Sequence, residues 1–215
     1  RPAELPDSRP EPAVAGPLSP RPTAPAAPAA TPSPTAAAPP LVKHASGTLV
    51  TVPGDGPVVG TGGPLVRYAV DVEQGLPEDP AAFAASVERI LGDPRSWGHG
   101  GAYRFQRVAA GPVRFRVTLA APDEVDKLCS MLDTNGYTSC RQGGRSVINQ
   151  NRWESAVSGW PADLATYQDY VINHEVGHAL GHGHLHCAGA GQFAPVMQQQ
   201  TLNLEGCEPN GWPFP

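Results

Sequence analysis

The chain has 215 residues, 40% of them hydrophobic, and a formal net charge of −5, which allows one domain with appendages. Residues 1–40 balance Arg1, Arg9 and Arg21 against Glu4, Asp7 and Glu11, so the negative charge belongs to residues 41–215. A mildly acidic domain without a run of Lys and Arg argues against nucleic acid as a partner, and no apolar run approaches the 18 residues of a transmembrane helix.

In residues 1–40, 24 positions are Pro or Ala, and no apolar periodicity runs through them. Such a stretch cannot bury enough surface to offset its ordering entropy, so a disordered linker or stalk is expected. Residues 41–215 are long enough for a single core. The segments 41–54 and 64–75 read as strands, the second with Val66, Tyr68, Val70 and Val72 on one side. A helix is expected over 77–94, with Asp79 as cap, Pro80 at its first position, and Phe83, Val87, Ile90 and Leu91 on its buried side. Residues 101–120 alternate twice about Gly111–Pro112 and read as a hairpin whose arginines form a solvated face. The stretch 121–141 reads as irregular, with Asp133–Gly136 a plain turn. A short strand over 145–150 precedes a long helix over 161–182, buried through Leu164, Tyr167, Val171, Val176, Ala179 and Leu180. Two helices against one mixed sheet satisfy this order.

The four cysteines, Cys129, Cys140, Cys187 and Cys207, form no CxxC pair, which argues against a cysteine zinc site. Of the three pairings, Cys129–Cys140 with Cys187–Cys207 is expected, because each closes one short irregular loop. Two disulfides imply an extracytoplasmic location, secreted or tethered through the linker. Four buried thiols in a cytosolic protein are the alternative.

Five of the seven histidines fall between His174 and His186, within HEVGHALGHGH and the two residues after it. His174 and His178 are one helical turn apart, so both imidazoles reach one zinc ion. Glu175 points slightly off that face, toward a metal-bound water. Gly181 takes a left-handed conformation, ends the helix, and lets His184 swing back as a third nitrogen ligand. Three protein ligands leave one position for water, which is the arrangement of a catalytic zinc and not of a structural one. Zinc then acidifies the water and polarises the scissile carbonyl, while Glu175 acts as general base. His182 and His186 stay open between surface positions, supporting donors and ligands; His44 and His99 read as ordinary histidines.

HEVGHALGHGH followed by Pro195-Val196-Met197 resembles the metzincin clan of zinc endopeptidases, whose extended motif is followed by a methionine turn beneath the metal. The resemblance implies an α/β (α+β-like) zincin-type domain over 41–215. Such a domain has a twisted mixed sheet, a backing helix, an active-site helix and an irregular lower lobe with Met197 in the turn. Residues 41–215, with PVMQQQ and the Trp-Pro-containing end, also look like a family of secreted or membrane-tethered actinobacterial domains without an assigned function. Where some metzincins carry a tyrosine two residues after the methionine, this chain has Gln199, whose amide is a candidate oxyanion donor.

The resemblance implies a secreted zinc endopeptidase acting on a peptide or protein substrate, including one associated with the cell wall. The competing readings are a non-catalytic zinc-containing binding module and a zinc amidase acting on peptidoglycan. A monomer is the default expectation.

Overall fold

The computed structural model describes residues 41–215, and the linker expected over 1–40 lies outside the described residues. Six strands form one mixed sheet: β1 (Leu49–Thr51), β2 (Leu65–Glu73), β3 (Arg104–Arg107), β4 (Phe115–Ala120), β5 (Cys140–Gln142) and β6 (Arg145–Asn149). The order is β1-β2-β4-β6-β5, with β3 also paired to β2. The pairs of β2 with β3, β2 with β4 and β4 with β6 are parallel, whereas β1 and β5 run antiparallel to their neighbours.

The main core lies on one face of this sheet. Helix α1 (Pro80–Gly92) starts where Asp79 accepts from the Ala81 and Ala82 N–H groups, and it buries Phe83, Val87, Ile90 and Leu91 as its periodicity predicts. Helix α2 (Pro122–Leu128) follows β4, and α3 (Gln150–Ser155) follows β6 and sets Trp153 edge-on to Phe83. Helix α4 (Leu164–Leu180) is capped by Asp163, whose side chain accepts from the Thr166 N–H. Its buried side includes Tyr167, Val171, Val176 and Leu180; Leu164, at the solvent-facing start, is instead exposed.

The opposite face is covered over one half only. There Ala120, Val125, Cys129, Cys140 and Val147 form a small second core beneath α2, closed by the Cys129–Cys140 disulfide. The second disulfide joins Cys187 to Cys207, and no free cysteine remains. Among the described residues no helix is long and apolar enough to cross a membrane.

The hairpin expected over 101–120 does not form. β3 and β4 each pair in parallel with β2, and Tyr68 sits opposite Arg107 on one side and Phe115 on the other. The connection through Gly111 and Pro112 therefore carries the chain across β2. The alternation of these residues is the same whichever strand lies beside them, so it does not encode the partner. Residues 121–141 are also more ordered than expected, since they contain α2. The turn at 133–136 is plain: the Asp126 carboxylate accepts from the Thr134 hydroxyl and the Gly136 N–H.

Candidate metal centre

The final turns of α4 and the segment after it bring the three predicted histidines together. Gly181, at φ 106°, donates its N–H to the Gly177 and His178 carbonyls and ends the helix. The chain then returns, and the Leu185 N–H donates to the Met197 carbonyl. His178 Nε2 stands 3.2 Å from His174 Nε2 and 3.0 Å from His184 Nε2. Nitrogens held at about 2.0–2.1 Å around one tetrahedral zinc stand roughly 3.3–3.4 Å apart, so the spacing fits a shared ion.

The other ring nitrogens fix the tautomers. His174 Nδ1 lies 2.8 Å from the Val196 carbonyl and His178 Nδ1 lies 2.9 Å from the His182 carbonyl. A carbonyl only accepts, so both Nδ1 atoms carry the proton and both Nε2 atoms present a lone pair. Two facing lone pairs at this distance repel unless a cation lies between them. Burial also favours neutral rings: it pushes His174 down to about 3 and lowers His178 and His184. Neutral imidazoles in this geometry are suited to a divalent metal.

Glu175 lies beside them on the buried side of α4. Its main-chain carbonyl accepts from the Ser146 hydroxyl, which fixes the helix on β6. The residue is 5% exposed, and its buried Oε2 has no hydrogen-bond partner. Burial pushes its pKa up to about 8. With His174, His178 and His184 it lines an open cleft of about 490 Å³, whose walls are Leu132, Thr138–Arg141, Gln199 and Leu202. Unpartnered buried carboxyl groups beside a cleft are the kind of group that proton-transfer chemistry uses.

Met197 is buried, with its sulfur against Gly177 of α4. A Cβ at Gly177 would overlap the Met197 sulfur and lie 2.7 Å from the Trp97 ring, so only glycine lets both side chains reach the helix here. Trp97 donates from Nε1 to the Asn173 carbonyl and stacks on the His182 ring at 4.3 Å. His182 is thus a support: its ring packs on Trp97, and its carbonyl orients His178. His186 is exposed, 3.3 Å from Glu205, and takes no part in the cluster. His99 stacks on Phe214.

Of the three glutamines after Met197, Gln198 and Gln200 are buried and bind the main chain of the segment. Gln198 donates to the Asn203 carbonyl, and Gln200 to the carbonyl of Asn210. Gln199 is exposed and lines the cleft. Sequence reasoning did not find Trp97, Gly177 and the carbonyls of His182 and Val196. Carbonyls carry no sequence signal, whereas the glycine inside HEVGH was a usable sign of close approach.

No curated protein and no solved structure matches the chain. Residues 35–209 match the profile of a family described as a protein of unknown function (DUF3152). With that match spanning most of its length, and with the histidine cluster inside it, the chain belongs to the DUF3152 family.

Proposed function

We propose that this domain is an extracytoplasmic zinc endopeptidase of the metzincin type. The observation that carries the reading is Glu175: a buried carboxylate with a free oxygen, beside three converging imidazoles, on the wall of an open cleft. Bound zinc supplies a Lewis acid that acidifies a water toward a pKa of about 7 and polarises a carbonyl. His174, His178 and His184 would hold the ion, with the carbonyls of Val196 and His182 keeping two of the rings in register. The Glu175 carboxylate takes the proton of the attacking water and returns it to the leaving amine as the C–N bond breaks. In this reading Gln199, which is exposed and lines the cleft, donates an amide N–H to the developing oxyanion. β5 is an edge strand, and an extended peptide laid along Thr138–Arg141 would pair with its main chain beside the metal. The two disulfides support an oxidising location.

Incubation of an unfolded protein mixture with the zinc-loaded wild type and Glu175→Gln tests the reading. Cleavage by the wild type, reduced on the order of 10²–10⁴-fold in a variant that keeps its zinc, is the expected result. Peptide bound equally by both, with no cleavage by either, identifies a binding module instead.

A further inference from the structure

The half of the sheet that α2 leaves open is an array of arginines. Residues opposite one another in paired strands point to the same face. Leu65 lies opposite Arg104, Ala69 opposite Arg116, and Arg116 opposite Arg145. Arg67 shares this face with Leu65 and Ala69, and Arg114 donates its N–H to the Arg67 carbonyl from the strand position before Phe115. Five of the twelve Lys and Arg residues in 41–215 therefore stand together on an otherwise acidic domain.

One carboxylate answers them. Asp71 pairs with Arg116 and Arg145. Among the described residues no carboxylate pairs with Arg67, Arg104 or Arg114, and all three are exposed. Like charges on adjacent strands destabilise a sheet, so the array has a cost that an anionic partner relieves.

The shape of the face narrows the partner. Among the described residues these arginines line none of the four best-formed cavities, so the face is not built as a pocket around a small anion. No aromatic residue shares the face, which removes the stacking platform of a single-strand nucleic-acid binder. Leu65, 38% exposed beside Arg104, adds an apolar contact within the array. We propose that this face docks on an anionic lipid bilayer. Arg141 and Ser146 lie on the other face, where Ser146 bonds α4, so docking leaves the metal cleft open. The proposal does not rest on the peptidase reading.

The test is cosedimentation of the full chain with phosphatidylcholine vesicles made with and without phosphatidylglycerol. The wild type is expected to bind only the anionic vesicles and to be released by salt. Arg67→Ser/Arg104→Ser/Arg114→Ser removes three cations that hold no ion pair, and it is expected to weaken binding on the order of 10²-fold with a thermal midpoint no lower than that of the wild type. Arg89→Ser, on α1, is expected to bind as the wild type does. No wild-type binding, or equal binding by the triple variant, overturns the proposal. Tighter binding to soluble polyphosphate than to vesicles assigns the face to a soluble polyanion and also overturns it.

Discussion

Residues 41–180 and residues 181–215 are held together by different means. The first region packs apolar side chains of α1, α3 and α4 on a six-stranded sheet. The second has no helix or named strand, and it adds Val196, Met197 and Trp212 to that core. It is further fastened by the Cys187–Cys207 disulfide and by buried amides: the Gln200 side chain donates to the Asn210 carbonyl and accepts from the Asn210 N–H, and the Asn210 side chain donates to the carbonyls of Ala194 and Trp212. Asn173, on α4, donates to the Gly211 carbonyl and joins the two. The metal centre needs both regions. Burial on the sheet sets the positions of His174 and Glu175, while amide bonds hold the carbonyl that orients His174.

Breaking the apolar region is expected to have the largest effect. Phe83→Ala should cost about 3–5 kcal/mol, and chemical denaturation should show zinc binding and fold lost in one transition. Asp71→Asn should cost about 3 kcal/mol at neutral pH, because two half-buried arginines lose their partner. Burial alone would raise the Asp71 carboxyl, but Arg116, Arg145 and Thr51 more than offset this and hold it below its ordinary value. Its stabilisation is therefore present above the unfolded-state pKa of about 3.9 and lost as pH falls through the folded value. Thermal midpoints against pH should drop on that acid limb in the wild type and less so in the variant.

Asn210→Ala should cost about 2 kcal/mol by orphaning buried groups. Hydrogen exchange should find the loss concentrated in 190–215, with zinc affinity falling more than global stability. Gln199→Ala, at an exposed cleft position, should change stability by no more than about 0.5 kcal/mol. A turnover decrease at unchanged stability would sharpen its part as a donor to the substrate, and unchanged turnover would remove it.

How far the sequence was legible follows the same division. The ends of α1 and α4 were readable because caps and breakers are local: Asp79 with Pro80, Asp163, and Gly181. The histidine spacing was readable because a helix fixes which residues share a face. α2 and α3 were not, since seven and six residues are too few to show a helical period. The crossing of β2 by the 108–114 connection depends on neighbours distant in sequence. The arginines of 101–120 were readable as a solvated face, but the joining of Arg67 and Arg145 to it was not, because the members lie on or beside four strands that only the sheet order brings together. In 181–215 the chain has little periodicity to read, and the groups that orient His174 and His178 are main-chain carbonyls.

Zinc stoichiometry combined with zinc-edge X-ray absorption tests the central claim most directly. The account predicts one zinc per chain, coordinated by three imidazole nitrogens and one non-protein oxygen at about 2.0–2.1 Å, with one nitrogen lost in His184→Ala. No stoichiometric zinc after loading, or an ion closed by four protein ligands, would contradict it.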